Sequence, residues 1–221
     1  MVVIVAGMYR SGSTFVFNVV KEILLESGSV EWYTTNNTNC LQNVAENTLH
    51  VIIKSHEPDA IIKSLIRLKS FKCICTYRNP CEASASWHKT FGYSIEESVR
   101  TIERWINIYY EIKKYSYNIN YEILDRYPFI VVLRIQKYIT GKINISKAIR
   151  ISIKYNKKRM KKKLDDMKES DNTENIGFSY FDKDTFYHRR HINSIRSDQV
   201  FNELSENEKN YLINYFKDKE I

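Results

Sequence analysis

The segment with the clearest chemical signature is the loop of residues 7–14, which reads GMYRSGST. It stands between an apolar, strand-like run and a stretch whose apolar residues recur at helical spacing. At such a junction, backbone N–H groups and the helix N-terminus converge on an anion. Gly7 and Gly12 have the spacing of the glycines in a Walker A loop, but Ser13 replaces the lysine that reaches the β and γ phosphates. The loop therefore predicts a site for a diphosphate-sized group, with Arg10 as its cation.

Polar side chains that could work beside this loop follow two other apolar runs. Lys54 and His56 come directly after one run, and Arg78 ends another, with Ser86 eight residues later. Carboxyl ends of parallel strands meet at the ligand-binding edge of a sheet, so these groups are expected close to the loop. Arginine can bind phosphate through two hydrogen bonds, and histidine can serve as a general base. Two structural roles stay open: an ion pair of Arg78 with Glu82, and a contact of Ser86 with a neighbouring helix.

Together these segments resemble the sulfotransferase family, which binds 3′-phosphoadenosine 5′-phosphosulfate (PAPS) through a basic residue followed by Ser-Gly-[Ser/Thr]-Thr. The matching residues are Arg10, Ser11, Gly12, Ser13 and Thr14. The resemblance implies that they hold the 5′-phosphosulfate, with Arg10 near the bridging oxygen that becomes the leaving group. Phe15 stands where the family has tryptophan, which implies a ring able to stack on adenine.

The resemblance extends to the other polar segments. Arg78 and Ser86 match the family's clamp on the 3′-phosphate, and Lys54 and His56 match its Lys-[Thr/Ser]-His segment. In that segment the histidine is the general base and the lysine contacts the sulfuryl group.

Residues 188–194 resemble the family's Arg-Lys-Gly loop, which also touches the 3′-phosphate. Arg189 and Arg190 fit that loop, and His191 replaces its glycine. The family often has a tyrosine against adenine just after the strand that we match to residues 129–133, and residues 134–136 offer none.

The reaction implied is in-line transfer of a sulfuryl group to a hydroxyl or amine of a small-molecule or glycan acceptor, with no metal. A small P-loop kinase is the alternative enzyme. Against it stand the missing lysine and the lack of an aspartate at the end of any apolar strand, which kinases use to organise Mg²⁺. Basic stretches with interleaved tyrosines keep open a third class, a non-catalytic module that binds polyanions.

Length, composition and charge indicate the class of protein and its compartment. The chain has 221 residues, of which 43% are hydrophobic and 27% charged, as in a soluble protein with a single core. The formal net charge of +8 favours an anionic ligand, and the basic run 154–163 carries much of it. Neither a signal-like start nor an apolar run of about 20 residues is present, and four cysteines lack paired spacing. We therefore expect a cytoplasmic protein with no membrane span and no nucleic-acid partner.

The elements needed to position these residues follow from the apolar patterning, in which short β-rich runs alternate with amphipathic stretches. We predict an α/β fold with one domain, a mostly parallel sheet of about four to five strands flanked by helices, and the P-loop-like architecture of sulfotransferases. Residues 1–92 and 185–200 are expected to form the nucleotide site, and residues 93–184 to shape the acceptor site. The predicted strands are 2–6, 30–33, 51–54, 72–77 and 129–133, and the predicted helices are 15–24, 58–68, 80–90, 94–117, 143–167 and 205–217.

Overall fold

Five parallel strands form the central sheet of the computed structural model, which describes residues 1–175, 180–192, 197–219 and 221. In chain order they are β1 Val2–Gly7, β2 Val30–Thr34, β3 His50–Ser55, β4 Lys72–Tyr77 and β5 Tyr117–Asn120. Their order across the sheet is β2-β3-β1-β4-β5, and every neighbouring pair is parallel. Because β1 lies at the centre and is covered on both faces, it is apolar almost throughout. The predicted α/β class and parallel sheet are confirmed.

Ten α-helices surround the sheet in the described part of the chain. Their bounds are α1 Ser13–Leu25, α2 Ala60–Arg67, α3 Pro80–Phe91, α4 Ile95–Ile112, α5 Tyr121–Arg126, α6 Pro128–Thr140, α7 Ile145–Lys154, α8 Lys157–Asp165, α9 Ser197–Asn202 and α10 Glu206–Phe216. A small antiparallel pair is made by β6 Thr173–Asn175 and β7 Tyr180–Asp182. Among the residues described, no helix combines the length and apolar character that crossing a membrane requires.

The core has two layers, one on each face of the sheet. Val3 and Val5 of β1 join a cluster with apolar side chains of α1, α6, α7 and α8. Ile4 and Ala6 join the opposite cluster, with side chains of α2, α3, α4 and α10. This alternation follows from the two-residue period of a strand. The sheet is thereby held between two helical layers, which leaves its carboxyl edge to carry polar residues.

Local sequence signals fix the helices next to the site. The Asn79 side chain caps α3 by accepting hydrogen bonds from the backbone N–H groups of residues 81 and 82, and Pro80 is its first residue. Gly92 ends the helix at φ 75°, in the left-handed region. The predicted start of α4 is also confirmed, since Ser94 and Glu97 form a reciprocal capping box.

Two predicted elements on either side of the fifth strand are wrong. The apolar run 129–133 is not a strand but part of α6, which begins at Pro128 and buries residues at helical spacing. The fifth strand is Tyr117–Asn120, in a segment that the predicted long helix approached, whereas α4 ends at Ile112. A short apolar run fits either a buried strand or a helix face, and here the proline at the first helical position decides.

The predicted helix 143–167 is in fact two helices. α7 ends at Lys154, and Asn156 then caps α8 by accepting a hydrogen bond from the backbone N–H of Lys158. The turn between the two helices brings Tyr155 and Asn156 to the wall of a cavity.

Candidate functional site

A cavity of about 700 Å³ opens beside the loop between β1 and α1. Its walls come from both ends of the chain and from the middle. Of the residues predicted from sequence, it is lined by Arg10, Gly12, Ser13, Thr14, Phe15, Lys54, His56, Arg78, Ser86 and His191. The carboxyl ends of β1, β3 and β4 do converge, so the two anion segments and the titratable pair share one cavity.

The loop of residues 7–14 is shaped by close backbone packing. A Cβ atom on Gly7 would lie 2.3 Å from the Cβ of Ser13, so only glycine fits there. Arg10 and Gly12 have φ angles of 65° and 81°, which turn the chain sharply before α1. Ser11 is buried, and its hydroxyl donates to the carbonyl of Met8 at 2.6 Å. Ser11 therefore holds the loop in shape. Its contact with the 5′-phosphosulfate of PAPS stays a prediction.

The start of the helix that follows lines the cavity with residues 12–15. Gly12 is the N-cap of α1, and no side chain of the described residues caps that end. The first backbone N–H groups of a helix attract anions through their hydrogen-bonding capacity and the helix dipole. The start of α1 is thus suited to a phosphate or sulfate group.

Two arginines converge beside this helix start. Arg10 Nε donates to Ser86 Oγ at 3.0 Å, and Arg78 Nη1 donates to the Arg10 carbonyl at 3.3 Å. Arg78 is only 3% exposed, and its Nε and Nη2 donate to Glu82 Oε2 at 3.2 and 2.9 Å. Burial, with the nearby charge of Arg78, lowers the pKa of Arg10 to about 10. The ion pair left open by the sequence is present, and it still leaves a cationic corner that an anion would stabilise.

His56 is held in one tautomer. Its Nδ1 lies 2.6 Å from the carbonyl oxygen of Gly7, which can only accept, so Nδ1 carries the proton. The unprotonated Nε2 lies 3.2 Å from Lys54 Nζ. Burial, and then the Lys54 charge, lower the pKa of His56 to about 3, while burial lowers the pKa of Lys54 to about 8. The imidazole is therefore neutral, and its Nε2 lone pair accepts a hydrogen bond from Lys54 Nζ.

Aromatic side chains continue from His56 along one side of the cavity. Tyr9 stacks on His56 with ring centroids 4.2 Å apart, and Trp87 packs on Tyr9 at 4.6 Å. Phe91 lies 4.4 Å from Trp87, and Tyr93 lies 6.0 Å from it. We call Tyr9, Trp87, Phe91 and Tyr93 the aromatic wall; all four line the cavity. Such a surface suits a planar or apolar molecule.

The two arginines of the segment near residue 190 contact different parts of the protein. Arg189 points to the end of α8, where its guanidinium donates to the carbonyls of residues 164, 165 and 167. Arg190 contributes its carbonyl oxygen, which accepts from Arg10 Nη1 at 2.8 Å. The predicted contacts of both arginines with a 3′-phosphate stay predictions, and Asn193 and Ser194 lie outside the described residues.

His191, which replaces the glycine of the resemblance, reaches the cavity with its side chain. Its Nδ1 accepts from the backbone N–H of His188 at 2.9 Å, so its Nε2 carries the proton and lies 3.4 Å from Thr14 Oγ1. The imidazole rings of His188 and His191 pack with centroids 3.7 Å apart. A side-chain donor thus stands near the start of α1, where the glycine of the resemblance would offer only backbone.

Sequence reasoning missed Tyr121. It follows β5 directly, lines the cavity, and its ring centroid lies 4.7 Å from the Arg78 guanidinium. A tyrosine therefore follows the fifth strand of the structure directly, whereas residues 134–136 offer none. The signal available in the sequence was the cap residue Asn120 after a short β-rich run, which the wrong strand assignment obscured.

Solved structures resemble this chain along nearly its whole length. A mouse sulfotransferase, SULT7A1, complexed with PAP (adenosine 3′,5′-bisphosphate) is 13% identical, with a TM-score of 0.66, covering 99% of this chain and 84% of that one. Retinol dehydratase in a complex with retinol and PAP is 14% identical, with a TM-score of 0.70 and coverage of 99% and 80%. Retinol dehydratase with androsterone and inactive cofactor PAP is 13% identical, with a TM-score of 0.65 and the same coverage. No family model and no curated protein sequence matches the chain.

Proposed function

We propose that this chain, which has the sulfotransferase fold, is an enzyme that transfers a sulfuryl group from PAPS to a hydroxyl or amine of a small molecule. The observation that carries the proposal is one cavity holding an uncapped helix start, two convergent arginines and a neutral histidine. The compared structures of this fold contain PAP, which fits the same chemistry. We further propose that the enzyme acts in the cytoplasm, in keeping with four free cysteines in the structure.

Binding of PAPS would use two anion-binding sites in the cavity, one at the start of α1 and one at Arg78 and Ser86. Backbone N–H groups at the start of α1, with Ser13 and Thr14, would hold the 5′-phosphosulfate, and Arg78 with Ser86 would hold the 3′-phosphate. The residues fit a donor with two anionic groups, because the charge of Arg78 lowers the pKa of Arg10 and anionic groups beside the two arginines would offset this repulsion. Tyr121 and Phe15 line the cavity and would pack against adenine.

Catalysis would need no covalent enzyme intermediate and no metal. PAPS supplies a sulfuryl group whose bond to the 5′-phosphate oxygen breaks as its bond to the acceptor forms. His56 Nε2 takes the proton of the acceptor hydroxyl, a role worth roughly 10²- to 10⁴-fold in rate. Lys54 and Arg10 stabilise the negative charge on the sulfuryl and bridging oxygens. The Gly7 carbonyl holds the proton on His56 Nδ1, which leaves the lone pair on Nε2 until Nε2 takes the acceptor's proton.

The acceptor would lie against the aromatic wall. Because Tyr9 stacks on His56, a hydroxyl presented to Nε2 has an aromatic surface next to it. A planar, apolar alcohol or phenol would bury that surface and avoid the cost of burying charge. A panel of phenols, aliphatic alcohols, amines and sugars, assayed with radiolabelled PAPS, would rank the acceptor classes.

One pair of measurements tests the function itself. PAP at about 100 times its Kd should stabilise the protein by roughly 2.7 kcal/mol, whereas ATP with Mg²⁺ should stabilise it much less. His56→Ala should lower sulfuryl transfer by orders of magnitude and leave PAP affinity almost unchanged. His50→Ala is the matched control, since His50 begins the same strand and lies away from the cavity.

The alternatives predict other results. Strong stabilisation by ATP with Mg²⁺ and none by PAP would contradict the proposal and favour a kinase. Stabilisation by an oligonucleotide alone would favour a polyanion-binding module. Near-normal turnover of His56→Ala would remove the base assignment.

A further inference from the structure

We propose that Tyr9 is a positioning residue for the catalytic base: its ring fixes the plane of the His56 imidazole and stabilises the imidazolium formed during transfer. The inference rests on the proposed function, in which His56 is the base. Tyr9 belongs to the loop of residues 7–14, called here the phosphate loop, so one loop would bind PAPS and hold the base. The sequence assigns it no role in either task.

The geometry shows why a second contact on His56 is needed. The hydrogen bond from Nδ1 to the Gly7 carbonyl fixes one atom of the ring, about which the imidazole could still tilt. The Tyr9 ring lies almost parallel to it, with an interplanar angle of 14° and a centroid distance of 4.2 Å. Trp87 packs against Tyr9, which limits movement of Tyr9 itself. Nε2 is thereby kept facing Lys54 and the cavity.

The charge balance shows why an aromatic ring suits this position. Burial and the Lys54 charge both disfavour a positive charge on His56. The base must nevertheless carry that charge once it has taken the acceptor's proton. The face of an aromatic ring is negative and attracts a cation lying over it. Together with the Gly7 carbonyl, Tyr9 therefore stabilises the protonated state selectively, as a transition-state contact must.

The hydroxyl of Tyr9 stays protonated. Burial, and then the charge of Glu57, raise the pKa of Tyr9 to about 12. Arg104 Nε lies 3.4 Å from Glu57 Oε1 and holds that carboxylate in place. A neutral phenol beside a carboxylate keeps an electron-rich ring face toward His56.

The test is a double-mutant cycle on turnover with saturating PAPS and acceptor. Tyr9→Leu should lower kcat roughly tenfold, with the Kd for PAP changed by less than about twofold. Tyr9→Phe keeps the stacked ring and should restore most of the turnover. In the His56→Ala background, Tyr9→Leu should have no further effect, because the group on which it acts is absent.

The possible outcomes separate the two proposals. An equal fall from Tyr9→Leu in both backgrounds would overturn the role of Tyr9 and leave the base assignment intact. Normal turnover of His56→Ala would overturn both. Because a leucine in the phosphate loop could prevent folding, the proton shift of the His56 ring provides a second readout. It should be displaced upfield by the Tyr9 ring current in the wild type and in Tyr9→Phe, and an undisplaced signal would refute the stack.

Discussion

Replacing Arg78 by glutamine should remove the preference for a nucleotide with a 3′-phosphate. Arg78 is 3% exposed and lines the cavity, so its fork is oriented before any ligand arrives. Hydrogen bonds to charged groups contribute about 1.5–3 kcal/mol each. Two of its N–H groups already donate to Glu82, so we expect the net loss to correspond to one such bond. That loss is a fall in PAP affinity of roughly 10- to 150-fold.

Calorimetric titration with PAP and with 5′-AMP provides the assay. Wild type should bind PAP more tightly than 5′-AMP, and Arg78→Gln should reduce that ratio by weakening PAP alone. Arg67→Gln is the matched control, because Arg67 lies on α2 outside the lining of the cavity. A thermal melt of each variant checks that the fold is kept.

Two results would refute the reasoning. If both nucleotides lose affinity equally, Arg78 acts by bracing the loop through the Arg10 carbonyl and not by touching the 3′-phosphate. If neither loses affinity, the 3′-phosphate is held elsewhere, for which the segment around Arg190 would be the next candidate.

Three other predictions concern pH and stability. Since the pKa of His56 is lowered to about 3, the pH–rate profile should show no acid limb near pH 6.5. Since the pKa of Lys54 is lowered to about 8, turnover in the same profile should fall above about pH 8, where Lys54 loses its charge. Because the pKa of His56 is lower in the folded protein than in the unfolded chain, its contribution to the free energy of unfolding is complete above the unfolded pKa of 6.5 and is lost as the pH falls toward 3. In urea titrations across that pH window, the His56→Gln variant should therefore lose less stability than the wild type. Trp105→Ala, which empties a fully buried site, should lower the free energy of unfolding by about 3–5 kcal/mol in urea.

Each has a clear contrary result. An acid limb centred near pH 6.5 that disappears in the His56 variant would show a base with an ordinary pKa. Equal acid sensitivity of wild type and His56→Gln would remove the linkage to this residue. A loss below about 1 kcal/mol for Trp105→Ala would show that neighbouring side chains of the same core cluster refill the space.

The parts of the structure that sequence predicts are those fixed by short-range signals. The phosphate loop, the capped α3 and the polar residues after β3 and β4 depend on neighbours within a few positions. The fifth strand was misplaced because the run 129–133 has no period that separates a strand from a helix. The direction of Arg189 and the stack of Tyr9 on His56 depend on residues far along the chain, which no local pattern encodes.

The contact between Arg10 and the Arg190 carbonyl joins residues 180 positions apart, which has a consequence for biosynthesis. At about 5–20 residues per second, the ribosome makes Arg190 roughly 10–40 s after Arg10. During that interval β1 can pair with β3 and β4, but the cavity lacks one wall. A nascent chain therefore has a cationic loop that is still open to cellular polyanions. A ligand that needs the complete cavity can therefore bind only after the segment around residue 190 has docked.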